Sequence, residues 1–329
     1  MKERVGEDSM RFFFLLSESF PIFVSDHSTH LNSCVMNTYT SKSVLIGVLS
    51  FIIVLFTMPL AHAMMIIMEQ FMAPPVLYYA AFAMGAVGLA FAIIGVYAKG
   101  DTRQTLWGLF GGLLFWAGWV EFLFVYYTHR FGVAPLTDAT GAVVTKPEYL
   151  ILPATFGLWA MIMVYYIFNV KSGCYFIQFF QKLFFRKGKN FEALRPVARH
   201  TSIVTFMELN MVTWTSYLVL LFCYDDQFLG DHHPVTAIVA FGCLIASIFM
   251  FRKLIQINAW GYSIRYAIAT VIVFWSFVEV IGRWNLFQEI WIHPMAYKTE
   301  MITMLVAFIL FLAILGYQSK KRKGVAKKE

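Results

Sequence analysis

Three carboxylates stand inside otherwise apolar runs of this 329-residue chain: Glu121, Glu208 and Glu279. An acidic side chain at the middle of a membrane helix costs about 2.5–3.5 kcal/mol on insertion scales, so it marks function by default and needs a partner, a proton or water. Glu279 has Arg283 four residues on, one turn along the same face, which predicts a local ion pair. Glu121 has no basic residue within a turn, and His129 lies two turns further on. Glu208 is followed by Asn210, Thr213, Thr215 and Ser216. That polar stretch predicts an internal face, serving either as a site or as interhelical hydrogen bonding worth roughly 1 kcal/mol per contact. Carboxylates so placed suit a proton or cation relay.

A second set of residues suits metal chemistry. His129 ends one apolar run, Asp231, His232 and His233 share a loop, and Glu289 and His293 follow another run. Neutral imidazole is the commonest metal ligand. Imidazole with carboxylate suits zinc, iron or copper, and a transition metal from that group is the cofactor this pattern implies if the loops converge. Met58, His62, Met65, Glu69 and Met72 also fall on one helix stripe. No HExxH box, phosphate loop, dinucleotide fingerprint or nucleophile elbow accompanies them.

The elements that must carry these residues are membrane spans. A span needs about 20 apolar residues. Such runs lie at roughly 43–68, 75–98, 104–128, 150–170, 201–223, 234–251, 264–284 and 300–317, which predicts an all-α polytopic bundle of about eight spans. The loops alternate in charge. Lys99 and Arg103, the cluster from Lys171 to Arg199, Arg252 with Lys253 and Arg265, and the tail Lys320-Lys321-Arg322-Lys323 fall on one side. Asp225, Asp226, Asp231 and Glu289 fall on the other. The positive-inside rule makes the basic side and the C-terminus cytoplasmic, in a plasma (inner) membrane. The chain divides into a polar extension at 1–42, a helical membrane domain at 43–318 and a basic tail at 319–329. Within the domain, 171–199 is basic, and its Phe-rich part at 174–186 predicts a helix lying in the cytoplasmic interface.

Bulk composition agrees. Hydrophobic residues make up 59% and charged residues 14%, with mean hydropathy +0.66. A water-facing surface needs about 25% charged residues, so the deficit fits a lipid-facing one. The net charge of +7 comes from short loops between spans, which excludes a nucleic-acid partner and points to the bilayer. Cys34, Cys174, Cys223 and Cys243 form no CxxC pair and read as unpaired thiols. Near the start, Met36, Lys42, the apolar run Val44–Met58 and Ala61-His62-Ala63 have the layout of a signal peptide, yet the apolar run continues to Met68 as a span would. Cleavage would leave seven spans.

One internal echo stands out. Phe115-Trp116 precedes Val120-Glu121, and Phe274-Trp275 precedes Val278-Glu279, in two spans of the same direction, as in a parallel repeat. Three functions compete. The first is an outward-facing His/carboxylate site holding a transition metal for redox chemistry or metal handling. The second is a secondary transporter or channel using the intramembrane Glu residues. The third is a structural subunit packed against other membrane subunits.

Overall fold

The computed structural model describes residues 40–137, 143–169, 181 and 200–325. The polar extension up to residue 39, the basic segment 171–199 apart from Gln181, and the last four residues of the tail lie outside the described residues. So do Cys34 and Cys174, whereas Cys223 and Cys243 are free thiols.

The chain is an all-α polytopic bundle, and seven of its helices are long and apolar enough to cross a membrane. The first, α1 (Ser41–Phe71), starts at a capping box: the Thr40 hydroxyl accepts from the Ser43 amide, and the Ser43 hydroxyl accepts from the Thr40 amide. It then runs unbroken through Pro59 and Ala61-His62-Ala63, so in the intact chain the signal-like segment is helix. After it come α2 (Pro74–Tyr97), with proline at its first position, and α3 (Asp101–Phe115). A single π turn, Trp116–Glu121, joins α3 to α4 (Phe122–Phe131), and the three make one 31-residue span. A short antiparallel pair, β1 (Leu136–Thr137) and β2 (Val143–Thr145), leads to the next element.

There the structure departs from a simple eight-span reading. The run expected at 150–170 is broken into α5 (Pro147–Ile151), a 3-10 turn at Leu152–Thr155 and α6 (Phe156–Asn169). The cause is Pro153, which has no amide hydrogen to donate and whose ring crowds the preceding turn. Two indole hydrogen bonds pin this broken element to α7 (Thr201–Tyr224): Trp159 Nε1 donates to Thr215 Oγ1 at 3.1 Å, and Trp214 Nε1 donates to Thr155 Oγ1 at 2.9 Å. The remaining spans, α8 (Pro234–Leu254), α9 (Trp260–Arg283) and α10 (Lys298–Val325), follow the sequence expectation closely.

Packing is set by small residues where backbones meet. A Cβ on Gly88 would land within 3 Å of the Phe115 amide and the Gly111 carbonyl, and one on Gly118 would strike Gly85 and the Ala81 carbonyl. Only glycine permits this approach of α2 to the α3 span, the usual device in a bilayer, where lipid is as apolar as a neighbouring helix. Around that pair Ile53, Leu109, Leu209, Ile264, Ile268 and Val271 form the buried core joining α1, α3, α7 and α9. By contrast α10 presents Ile302, Leu305, Val306, Ile309, Leu310 and Ile314 outward. Such an apolar surface suits lipid.

Helix α9 carries an arginine near each end. At its start Arg265 Nη1 donates to Asp101 Oδ1 at 2.9 Å and to Thr105 at 2.7 Å, which sets the first turns of α3 and α9 side by side and makes the two helices parallel. At its end Arg283 grips Asp231. Arg283 follows Arg265 by 18 helical steps, about 27 Å at 1.5 Å per residue, close to the thickness of a bilayer's hydrocarbon core.

A candidate intramembrane cation site

Between α1, the α3 span, α7 and α9 lies a cavity of about 70 Å³. That is room for a few water molecules, since one needs roughly 10–15 Å³ by the same measure. Its polar lining is Glu121, Glu279, His62, Tyr217, Thr213 and Ser216, and two indoles, Trp116 and Trp275, complete the wall. Glu121 and Glu279 thus meet at one place, although 158 positions separate them in the chain.

The π turn explains how. In α9, Trp275 and Glu279 are four residues apart, one α-turn, and the Trp275 indole donates to Glu279 Oε1 at 2.7 Å. In the α3 span the matching Trp116 and Glu121 are five apart. A π turn closes on the fifth residue instead of the fourth. The extra residue is absorbed, and both Trp/Glu pairs face the same cavity from parallel helices.

The charges around Glu279 differ from the sequence expectation. Arg283 does lie one turn on, but its guanidinium forks onto Asp231, with Nε at 2.8 Å from Oδ1 and Nη2 at 2.9 Å from Oδ2. It also lies 4.1 Å from the centre of the Tyr224 ring and reaches Thr145. His62, from α1, lines the same cavity as Glu279. Tyr217 lines this cavity with Glu121 and Glu279. It is the middle ring of a stack, with Trp116 at 5.7 Å on one side and Tyr149 at 5.9 Å on the other.

Glu208 stands apart from this cavity, nearer the other end of the bundle. It is 1% exposed, its Oε2 has no hydrogen-bond partner among the described residues, and Arg265 is the charge that bears on it. Asn210, expected on the same internal face, donates to the Phe206 carbonyl of its own helix. Ser216 does reach across, to Ser276 of α9.

The six metal-ligand candidates are His129, Asp231, His232, His233, Glu289 and His293. Among the described residues no three His, Cys, Asp or Glu side chains are placed to hold one ion. Each candidate has a local setting instead. Asp231 is committed to Arg283, and its carbonyl accepts from the Trp284 indole. His233 caps α8, its Nδ1 accepting from the Val235 amide. His232 lies over the Trp284 ring with centroids 6.4 Å apart, and His129 is exposed in the last turn of α4. Glu289 and His293 alone share a surface pocket. Glu289 lies against Gly282, and burial there raises its carboxyl above the ordinary range, while Trp291 and Arg283 pull the other way. In the loop between α7 and α8 it is Arg283, not a ligand shell, that takes the Asp231 carboxylate.

Sequence reasoning singled out Glu121 and Glu279 but did not join His62 and Tyr217 to them. His62 was legible only as part of a Met/His stripe, of which Met58 and His62 reach the cavity. Tyr217 carried no signal. Asp101 gave none as the partner of Arg265. The chain matches no family model, and neither a curated protein nor a solved structure is similar to it.

Proposed function

We propose that this membrane protein is a transporter or channel whose working centre is the cavity between α1, the α3 span, α7 and α9. In this reading Glu121 and Glu279 take up and release a cation, the proton being the smallest case, and His62 and Tyr217 relay protons or adjust the charge. The observation that supports it is the meeting of two intramembrane carboxylates and an imidazole at one water-sized cavity. Ionisable groups held inside a bundle and facing a cavity mark ion and proton pathways. The two arginine–aspartate contacts, Arg265–Asp101 and Arg283–Asp231, close the two ends of α9 around it. The basic end is assigned to the cytoplasm on loop charge.

The test is proton flux in vesicles. Purified protein is reconstituted with a pH-sensitive dye inside, and a potassium diffusion potential drives protons inward. Wild-type vesicles should acidify faster than protein-free ones, and E121Q and E279Q should both fall to the protein-free rate. Glutamine keeps size and hydrogen bonding but cannot carry the charge. Wild-type flux equal to the protein-free rate, or unchanged flux in both variants, would overturn the reading.

A metal-centred reading for copper, zinc or iron would require the outer loops to close on one another, and the positions of His129, His232, His233 and His293 give it no support.

A further inference from the structure

The cavity's walls select among cations. Beyond its two carboxylates it offers the rings of Trp116, Trp275 and Tyr217, with aliphatic side chains such as Met58 and Leu113 filling the rest. A bare alkali or divalent ion wants about six or more oxygen ligands in a shell. Here the Ser216 hydroxyl is paired with Ser276, Thr213 and Tyr217 are the other hydroxyls in the lining, and among the described residues no three His, Cys, Asp or Glu side chains are placed to hold one ion. An anion is disfavoured by the two carboxylates. Aromatic faces beside carboxylates are instead how proteins hold a positive charge dressed in methyl or methylene groups, because the ring quadrupole attracts the cation and the apolar wall accepts its carbons.

We propose that the cavity binds a small alkylammonium ion, with Glu121 and Glu279 supplying the counter-charge and Trp116 and Trp275 the aromatic faces. This rests on reading the cavity as a cation site and names the cation's class. The geometry favours a small ion, since the space is about 70 Å³. The two indoles are held in place by neighbours and not by the ligand: Tyr217 stacks on Trp116, and Trp275 packs on Trp291 at 4.8 Å while donating to Glu279. A site rigid before binding loses little affinity to ordering on binding. The Trp/Glu pairs from two parallel helices line the cavity from two sides.

The experiment is calorimetric titration of purified full-length protein in detergent with methylammonium, tetramethylammonium and sodium chlorides at constant ionic strength. Saturable heat with one or both ammonium ions and none with sodium is the expected result. Affinity should fall about tenfold or more in E279Q, where a charge is lost, and in W275L, where a ring is lost. If E279Q does not fold, E121Q takes its place, with W116L as the alternative ring variant. No saturable ammonium binding, or the same response to sodium, overturns the inference. The vesicle assay separates the two levels: proton flux that persists in wild-type protein with no ammonium binding leaves the carboxylate site standing and removes only its alkylammonium cargo. Ammonium binding that survives W275L and W116L at full strength also contradicts the aromatic role.

Discussion

Arg283 shows how one side chain can redirect a site. Sequence spacing offered it to Glu279, but Asp231 offered two oxygens in the plane of the guanidinium, and a bidentate pair is the stronger contact. Glu279 instead accepts from Trp275 and faces the cavity that His62 also lines. Breaking a buried pair from one side costs about 3–5 kcal/mol, and the residual exposure of Arg283 and Asp231, 18% and 22%, places R283M at the low end of that range. Thermal unfolding in detergent should show R283M and D231N each well below wild type, with the double variant less than additive. Additive losses would show that the two side chains do not act as a pair. Glu289 gives a pH signature. Its carboxyl is raised in the folded state, so the folded protein holds that proton more tightly than the unfolded chain does. Stability from this group is therefore greatest at low pH and falls as pH rises from the ordinary carboxylate value through the raised one. The difference in melting temperature between E289Q and wild type should accordingly grow in favour of E289Q across that window. A difference independent of pH would rule out the raised carboxyl.

The helices were largely legible, and the reasons are physical. A run of apolar residues of bilayer length fixes the spans, and seven of them appear where hydropathy placed them. The structure breaks the run at 150–170 at Pro153 and sets the π turn at Trp116–Glu121 around Gly118. What hydropathy could not convey was that the one-residue mismatch between Trp116–Glu121 and Trp275–Glu279 is a register correction. It looked like an imperfect echo because a regular helix cannot face residues four and five apart in the same direction. The metal site finds no support among the described residues, and sequence spacing could not have supplied it: loop residues need a scaffold to converge, and spacing says nothing about one. The glycine contacts make an element-scale test. G118A puts a methyl group into the α2 backbone, and overpacking of a tight contact costs about 1–3 kcal/mol. G157A, in α6, meets nothing within 4 Å. G118A should melt lower than wild type and G157A should not. Equal melting of the two would contradict the close α2–α3 approach.

Over the whole molecule, polar groups are ordered along α9: Arg265 with Asp101 at one end, the Glu279 cavity toward the other, and Arg283 with Asp231 closing that end. If the positive-inside rule holds here, the Arg265 end is cytoplasmic and a reporter active only outside should be silent when fused after Lys323; activity there would invert the orientation. The cavity's role turns on whether its carboxylates exchange protons while embedded. Infrared difference spectra of membrane-reconstituted protein, recorded between neutral and acidic pH, read this directly through the stretch of the protonated carboxyl group. Wild type should gain a band that E121Q and E279Q each diminish and the double variant removes beyond what the exposed acids contribute. Superimposable spectra from wild type and the double variant would show that neither carboxylate takes up a proton over that range and would contradict the cavity as a proton-exchanging cation site.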